Sequence, residues 1–141
     1  MVKRGGRSTG ITYRPDLTPG VFNESELVCA DNTGAKVIKM VMLTGFKGRA
    51  RRIPGAAVGD VIIAAVKRGN PEMRKQIVRA VIIRQRKPYR RVDGTRIQFE
   101  DNAAVIITPE GDLKGTEVRG PVAKEAVDRL PKLASLASVV V

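Results

Sequence analysis

The amino-acid sequence predicts a mainly β domain, a small barrel or sandwich, with a short helical segment at the C-terminal end. Several short runs rich in Val and Ile are separated by turn signals, a spacing typical of small all-β domains. The chain has 141 residues, a length that suits one domain. Hydrophobic residues make up 43% and aromatic residues only 4%, so we expect a core composed mainly of Val, Ile, Leu and Ala.

The N-terminal half is predicted to contain a basic arm and three strands. Residues 1–20 include several Gly and Pro and are predicted to form an irregular arm. The apolar run 27–30 ends in an Asp-Asn-Thr-Gly turn signal, and the β-favouring residues at 36–43 predict the next strand. A basic loop over 47–55 separates that strand from 58–66, where a continuous run of Val, Ile and Ala predicts a third strand.

Three further strands are predicted before the C-terminal segment. Residues 75–83 alternate in the manner of a half-buried strand. Residues 84–91 are interpreted as a basic ribbon that leads into the Asp-Gly dipeptide at 93–94, which is typical of hairpin turns, and 96–99 returns from it. The last strand of the β domain is predicted over 103–108.

The C-terminal segment carries the helical pattern. Pro121 is placed at the first position of a helix that continues through 122–127, where the missing N–H of proline costs least. Pro131 is expected to end that helix, and a second short turn is predicted over 133–136. The predicted boundaries are 1–20 for the arm, 21–118 for a β-barrel with basic loops and a ribbon, and 119–141 for a helical segment packed on the barrel.

Two residue counts exclude several classes of site. The chain contains no His, which excludes Ser-His-Asp and Cys-His catalysis and metal sites that need His. The single Cys, Cys29, excludes intramolecular disulfides and Cys-rich zinc modules, and its apolar neighbours predict a buried structural thiol. The lack of disulfides is typical of a reducing, cytosolic compartment. The sequence has no signal-peptide pattern and no apolar run of about 18 residues, so we expect an intracellular protein without a membrane span.

The excess of positive charge lies in the middle third of the sequence. The chain has 26 Lys and Arg against 14 Asp and Glu, a formal net charge of +12. Residues 47–91 contain 14 of these bases and two acids, so they carry the whole excess, and the charges of the flanking residues cancel. A surface with evenly mixed charges would not have this pattern. We therefore expect an anionic partner, namely a nucleic acid.

The candidate phosphate-binding side chains are the Lys and Arg of this stretch together with three bases of the arm. Arg binds phosphate as a planar bidentate donor and Lys as a point charge. The candidates are Lys3, Arg4, Arg7, Lys47, Arg49, Arg51, Arg52, Lys67, Arg68, Arg74, Lys75, Arg84, Arg86, Lys87, Arg90 and Arg91. The alternative is a solvated charged surface, but such surfaces pair their bases with Glu, and acids are almost absent here.

Folded RNA is the favoured partner. Proteins that bind single strands stack bases on aromatic side chains, and the five aromatic residues of this chain are scattered. Recognition of RNA shape and backbone needs fewer aromatic residues. An enzyme is disfavoured, because Gly45 and Gly48 lack the Gly-Lys-Ser/Thr ending of a nucleotide-binding loop and Asp60 is interpreted as a turn residue. No cofactor or metal is expected.

Several motifs, taken together, resemble one known family. The longest is Ala80-Val81-Ile82-Ile83, nine intervening residues, Asp93-Gly94, Phe99, Asn102 and Val105-Ile106. Further agreeing blocks lie at 30–36, 58–62, 115–116 and 120–125. In this order they span about residues 24–141 and closely resemble the universal large-subunit ribosomal protein fourteen family. The basic arm and the insert at 47–55 are similar to its archaeal or eukaryotic branch.

The resemblance implies a five-stranded β-barrel with a projecting β-ribbon and a small C-terminal helical part. It implies direct binding to large-subunit rRNA in the cytoplasmic ribosome, at the face that meets the small subunit. The implied partners are neighbouring large-subunit proteins, small-subunit rRNA through an intersubunit bridge, and an anti-association factor. That factor would contact Thr116, Arg119 and Lys124, although Glu117 stands where bacterial members usually carry Arg.

Two other functions remain open at this point. One is a free-standing RNA-binding barrel or translation-factor module, which exposed stacking aromatics on one sheet face would favour. The other is a small enzyme, which a pair of carboxylates converging in a pocket would favour.

Overall fold

Five strands close into a barrel in the computed structural model, which describes residues 16–141. The strands are β1 (Val21–Phe22), β2 (Glu26–Cys29), β3 (Ala35–Leu43), β4 (Gly55–Ala56), β5 (Val61–Gly69), β6 (Ile77–Arg84), β7 (Tyr89–Arg90), β8 (Arg96–Ile97), β9 (Ala103–Ile107), β10 (Val118–Val122) and β11 (Ala137–Val140). The helices α1 (Lys124–Arg129) and α2 (Leu133–Leu136) lie between β10 and β11. The predicted contacts at Lys3, Arg4 and Arg7 lie outside the described residues.

The barrel strands follow the order β2-β3-β5-β6-β9, and β9 pairs with β2 to close the ring. All neighbouring barrel strands are antiparallel except β2 and β9, which are parallel. Three two-stranded sheets, β1-β4, β7-β8 and β10-β11, accompany the barrel in the described residues. The mainly β fold class with a barrel, a ribbon and a short helical segment is confirmed.

The barrel interior is filled by aliphatic side chains, as the composition predicts. In β5, Ile62, Ala64 and Val66 are buried and alternate with partly exposed residues, because successive side chains of a strand point to opposite faces. All five residues of β9 are buried. The second half of β6 is also buried throughout, and α1 and β10 pack against this strand. The C-terminal segment therefore covers part of the outer barrel surface.

The Asp31 side chain adds hydrogen bonds to the short parallel pairing of β2 with β9, here called the barrel seam. Its buried carboxylate accepts a hydrogen bond from the Ile106 N–H at 2.7 Å, just beyond the last paired residues of the two strands. The same carboxylate accepts from the Thr33 hydroxyl at 2.6 Å and from the Cys29 thiol at 3.1 Å. Burial, followed by the nearby Asp31 charge, raises the pKa of Cys29 to about 12. The prediction of a buried structural thiol is confirmed.

The strand predicted over 58–66 begins later and continues further than expected. Residues 58–60 form a turn in which Gly59 has a φ of +85°, and β5 then runs from Val61 to Gly69. The Asp60 carboxylate accepts the Ala57 N–H at 2.7 Å, so its predicted role in a turn is confirmed. Backbone pairing with β6 nevertheless reaches into this turn, because the Gly59 N–H donates to the Ile82 carbonyl at 2.8 Å and the Ile82 N–H donates to the Asp60 carbonyl at 3.1 Å.

The helix predicted to start with Pro121 is wrong in its first residues. Pro121 lies in β10, and α1 begins at Lys124. The β10 strand pairs with β11, apart from an isolated bridge between Val118 and Asp31, and its register shifts between Val118 and Pro121, a site where a residue without an N–H is tolerated. The short helix over 133–136 is confirmed, whereas β11 was not predicted from the sequence.

Candidate nucleic-acid interface

The first group of candidate bases lies in the loop that follows β3. Lys47, Arg49, Arg51 and Arg52, here called the loop cluster, are all exposed. The Arg52 N–H donates to the Arg49 carbonyl at 3.0 Å, which forms a turn. Arg51 in that turn has a φ of +65°, a conformation that L-residues rarely adopt. The turn therefore holds several bases close together on the surface.

The second group lies at the opposite end of the barrel. Lys67, Arg68, Arg74 and Lys75, here called the turn cluster, flank the connection from β5 to β6, and all four are exposed. This connection is ordered by hydrogen bonds from the Arg74 N–H to the Asn70 carbonyl at 3.1 Å and from the Lys75 N–H to the Val66 carbonyl at 3.1 Å. Lys75 also has a φ of +65°.

The antiparallel pairing of β3, β5 and β6 decides which bases share an end of the barrel. The β3 strand ends where β5 begins, and each has nine residues, a length of about 30 Å. The loop and turn clusters are therefore separated by roughly the length of a strand. The end of β6 returns to the start of β5, so the bases after β6 lie at the same end as the loop cluster.

The bases after β6 belong to the ribbon that is formed by β7 and β8. Arg86, Lys87 and Arg90, here called the ribbon cluster, are exposed. Tyr89, between them in sequence, is buried, and its hydroxyl donates to Glu125 Oε2 at 2.8 Å. Because Glu125 lies on α1, this hydrogen bond joins the ribbon to the C-terminal segment and orients the neighbouring exposed bases.

Arg91, another predicted phosphate contact, strengthens this connection. Its Nε donates to Glu125 Oε1 at 2.7 Å and its Nη2 donates to the Val141 carbonyl at 2.6 Å. Burial raises the pKa of Glu125, but hydrogen bonds from Arg91 and Tyr89, together with the Arg91 charge, hold it below its usual value overall. Burial and the hydrogen bond to Glu125 raise the pKa of Tyr89, so its hydroxyl remains a donor. The structure gives Arg91 internal partners.

The Arg84 side chain also makes its hydrogen bonds within the protein. The side chain is buried, and its Nε and Nη2 donate to the two carboxylate oxygens of Asp101 at 2.9 and 3.2 Å. Its Nη1 donates to the carbonyls of Arg119 and Pro121 at 3.0 and 2.8 Å. Gly120 lies against this guanidinium, where a Cβ atom would come within 2.8 Å of Nη1. Arg84 therefore ties β6 to β10, and phosphate would have to compete with these partners.

The other eleven described candidates have no acidic ion-pair partner within residues 16–141. Ion pairs in this part of the chain involve other bases, such as Lys39 with Glu24 at 3.3 Å and Lys132 with Asp112. A surface stabilised by charge pairing would use its bases in that way. The loop, turn and ribbon clusters instead present uncompensated positive charge to solvent.

The three residues predicted to contact a protein factor are all exposed. The Asn32 side chain makes two hydrogen bonds to Thr116. Its Nδ2 donates to the Thr116 hydroxyl at 2.7 Å, and its Oδ1 accepts the Thr116 N–H at 2.9 Å. The Arg119 N–H donates to the Ala30 carbonyl at 2.8 Å, and Lys124 begins α1. No hydrogen bond or ion pair joins these three side chains in the described part of the chain.

The aromatic residues do not form an exposed stacking platform in the described range. Tyr89 and Phe99 are buried, Phe46 is half-buried, and Phe22 is 41% exposed. Tyr13 lies outside the described residues. This distribution favours contacts with the RNA backbone over stacking of single-stranded bases. Residues 16–141 contain no group of three Cys, Asp or Glu side chains suited to a metal, and no helix there has the length and apolar character to cross a membrane.

Sequence reasoning missed the internal roles of Arg84 and Arg91. Their acidic partners, Asp101 and Glu125, are 17 and 34 residues away along the chain. A local sequence pattern does not indicate an ion pair between residues so far apart in the chain. An indirect signal exists for the first pair only: the segment 92–112, which contains Asp101, has an excess of acids, whereas Glu125 lies outside it.

Comparison with known proteins identifies the family. A profile described as ribosomal protein L14p/L23e matches residues 20–141. The chain is 58% identical to the large ribosomal subunit protein uL14 of Thermofilum pendens over the whole length of both proteins. It is 55% identical to the protein of the same name from Pyrobaculum aerophilum, again over all of both chains. A third relative, from Thermoplasma volcanium, is 56% identical over 117 residues, which cover 83% of this chain and 89% of that protein.

These relatives are archaeal and are named as ribosomal proteins, in agreement with the predicted branch and with the prediction that the chain is not an enzyme. The match covers most of the sequence, including the barrel, the ribbon and the C-terminal segment. The chain therefore belongs to the ribosomal protein L14p/L23e family.

Proposed function

We propose that the chain is a structural constituent of the large ribosomal subunit in the cytoplasm, where it binds large-subunit rRNA directly and contacts neighbouring ribosomal proteins. One observation carries this proposal: eleven exposed bases in the loop, turn and ribbon clusters have no acidic partner within residues 16–141. In a protein of a ribosomal family, rRNA phosphates are the anions that these bases would meet.

The barrel supplies a rigid support for these contacts. Its buried Val and Ile side chains fix the strands, and the strands position the three clusters at defined points on the surface. Because hydrogen bonds fix the backbone of these segments, phosphate binding orders mainly the Lys and Arg side chains, and the charge-assisted contacts offset the rotamer freedom that is lost. Each contact with a phosphate releases condensed counterions, so binding depends on salt.

Salt dependence tests the electrostatic part of the proposal. If the protein engages about 6–10 phosphates, its affinity for large-subunit rRNA should fall roughly 10³–10⁵-fold between 50 and 200 mM monovalent salt. Filter binding of the full chain to the rRNA measures this change. An affinity that stays nearly constant over this range would contradict phosphate binding by the clusters.

A loop-cluster variant tests which residues bind. Arg51 should be replaced by Gly, because its positive φ would strain most other residues. The test variant is Arg49→Ala, Arg51→Gly, Arg52→Ala, and the matched control is Arg129→Ala, Lys132→Ala on the C-terminal segment. We expect weaker rRNA binding in the test variant, unchanged binding in the control, and unfolding transitions close to wild type in both. Loss of folding with retained binding would assign these arginines a structural role.

A free-standing RNA-binding barrel is the alternative function, and sedimentation separates the two. A large-subunit constituent should co-sediment with the large subunit in a sucrose gradient of cell extract and remain bound after a low-salt wash. Recovery mainly in the soluble fraction would favour the alternative.

We further propose, from the family resemblance, a position at the subunit interface with a contribution to an intersubunit bridge and to docking of an anti-association factor. Thr116, Arg119 and Lys124 would form the factor surface, and their exposure is compatible with this role. Arg119→Ala and Lys124→Ala should then leave rRNA affinity unchanged. A loss of rRNA affinity would place these residues in the RNA interface instead.

A further inference from the structure

The last residues of the basic arm, 16–20, are fixed to the barrel between the loop and ribbon clusters. Leu17 is buried in the core, and the Gly20 N–H donates to the Ala56 carbonyl at 3.1 Å. The following residues form β1, which pairs with β4 just after the loop cluster. The arm is therefore attached at the end of the barrel that carries these two clusters.

The Gln85 side chain connects the arm to the ribbon. It is fully buried, and its Nε2 donates to the Thr18 carbonyl at 2.9 Å and to the Lys87 carbonyl at 3.0 Å. Both protons of the amide are used, one for the arm and one for the segment that leads into β7. Thr18, Gly20 and Gln85 are here called the arm junction.

Close packing around Gly20 restricts the arm junction further. A Cβ atom on Gly20 would lie 3.0 Å from Gln85 Cδ and 3.1 Å from Lys87 Cβ. On the other side of the arm, a Cβ atom on Gly55 would lie 3.0 Å from Pro19 Cβ. Glycine at these two positions lets the arm pass close to both neighbouring segments.

Core packing alone does not account for an amide at position 85. The Gln85 Oε1 atom is buried and accepts no hydrogen bond from residues 16–141. A buried amide oxygen without a donor costs free energy, and an aliphatic side chain of similar size would avoid that cost. What the amide contributes is its two donated hydrogen bonds, and both hold segments that continue into candidate phosphate contacts.

The direction of the arm matters because its bases lie far from the junction along the chain. Arg7 precedes Asp16 by nine residues, which span at most about 30 Å when extended. That distance is similar to the length of the barrel strands. The direction in which the chain leaves the arm junction therefore decides which part of an RNA the bases of the arm can meet.

We propose that Gln85 is a positioning residue for rRNA binding and that it directs the arm towards the RNA bound by the loop and ribbon clusters. Lys3, Arg4 and Arg7 then bind the same rRNA element as these two clusters, while the turn cluster binds another part of the rRNA. The inference rests on the proposed function, since it requires that the clusters contact rRNA.

Directed hydroxyl-radical cleavage locates the arm on the rRNA. An iron–EDTA group is attached to one introduced thiol, at Arg7→Cys in the arm, Arg52→Cys in the loop cluster or Arg74→Cys in the turn cluster, and the native thiol of Cys29 is buried. Each full chain is then bound to large-subunit rRNA. We expect Arg7→Cys and Arg52→Cys to cleave one rRNA element and Arg74→Cys to cleave a different one.

Gln85→Leu is then introduced into each of the three labelled chains. We expect the cleavages from Arg7→Cys to weaken and spread, while those from Arg52→Cys and Arg74→Cys keep their positions. A general loss of stability would not produce this selective change. Unchanged cleavage from Arg7→Cys, or altered cleavage from all three, overturns the inference and leaves rRNA binding intact. If none of the three chains cleaves rRNA, the proposed function itself is contradicted.

A combination of variants measures the same effect as an affinity. Gln85→Leu should weaken rRNA binding roughly tenfold, because phosphate contacts of the arm are lost. Most of this effect should disappear when Lys3, Arg4 and Arg7 are already replaced by Ala, since the bases that Gln85 positions are then absent. The effect should persist in full beside Arg68→Ala, Arg74→Ala in the turn cluster. Equal effects of Gln85→Leu in both backgrounds would overturn the proposal.

Two further variants guard against a loss of folding. Gly20→Ala places a Cβ atom against the Gln85 amide from the side of the arm, and it repeats the test if Gln85→Leu does not fold. The matched control is Val105→Ala, a buried change in β9, which should lower stability without changing rRNA affinity. Urea unfolding of each chain checks that the fold is retained. An rRNA affinity of the folded Gly20→Ala chain equal to that of the control would contradict the role of the arm junction.

Discussion

At the scale of single residues, buried polar groups carry stability that the hydrophobic pattern does not reveal. Asp31 is 5% exposed, and its carboxylate accepts hydrogen bonds from three neighbouring residues at the barrel seam. The seam has only two register pairs, Val28 with Ala103 and Cys29 with Ala104. The Asp31 carboxylate thus supplies a hydrogen bond beyond the paired residues of β2 and β9, where the barrel closes.

Asp31→Ala should lower the free energy of unfolding by about 1–3 kcal/mol, because the buried Ile106 N–H would lose its acceptor. Urea unfolding followed by far-UV circular dichroism measures the change. Glu110→Ala, which removes an exposed carboxylate, serves as the control and should have little effect. An Asp31→Ala protein as stable as the control would show that the seam does not depend on this carboxylate.

Cys29 provides a second prediction at this scale. Its pKa is raised to about 12, chiefly by burial and then by the Asp31 charge, so the thiol stays protonated at neutral pH. The folded protein at pH 8 should therefore react with iodoacetamide far more slowly than the urea-unfolded protein. Mass spectrometry of the alkylated chain follows both rates, and rapid labelling of the folded protein would contradict the buried-thiol assignment.

At the scale of elements, the ribbon and the C-terminal helix are joined by one carboxylate. Glu125 on α1 accepts from Tyr89 at 2.8 Å and from Arg91 at 2.7 Å, so a change in α1 would be transmitted to the ribbon. If the ribbon binds rRNA as proposed, this junction would position its exposed bases. The helix has only six residues, and tertiary contacts of this kind must supply most of its stability.

The pKa of Glu125 predicts an acid dependence of stability. Because its pKa in the folded state lies below the ordinary value, the carboxylate contributes stability above that value, and the contribution is lost as the pH falls through the folded-state pKa. Glu125→Gln should therefore be less stable than wild type at pH 7, and the difference should shrink towards pH 3. Thermal unfolding at pH 7, 5 and 3 measures this difference. A gap that persists at pH 3 would assign the loss to packing instead of ionisation.

At the scale of the whole molecule, the barrel separates bases that lie close together in the sequence. The loop and turn clusters stand at opposite ends of the nine-residue strands β3 and β5, about 30 Å apart. The positive stretch 47–91 is therefore distributed between the two ends of the barrel, with the ribbon cluster beside the loop cluster. A folded RNA that follows the strand direction can engage both ends at once.

This separation predicts that the clusters contribute independently to rRNA binding. The variants to compare are Arg49→Ala, Arg51→Gly, Arg52→Ala in the loop cluster, Arg68→Ala, Arg74→Ala, Lys75→Gly in the turn cluster, and their combination. For every phosphate that a variant no longer neutralises, the slope of log affinity against log salt should decrease by about 0.7–0.9, and the two reductions should add. Filter binding at several salt concentrations measures the slopes. A combined variant no weaker than one of its parents would contradict simultaneous engagement of both ends.

Much of this architecture follows from local sequence patterns. Apolar runs of Val and Ile located the strands β3, β6 and β9 because burial on a sheet selects these residues at neighbouring or alternate positions. The Asp-Gly turn at 93–94 located the ribbon, and the motifs identified the family. The chain's excess of positive charge and its lack of His likewise needed no structure to interpret.

Only the tertiary structure decided how the ring closes and which bases remain available. Two of the predicted phosphate contacts, Arg84 and Arg91, have acidic partners far along the chain, and Pro121 lies in a strand because β11 pairs with it. A local pattern records the preference of each residue for burial or for a turn. The partner of a charged side chain, in contrast, depends on the register that joins distant segments when the barrel forms.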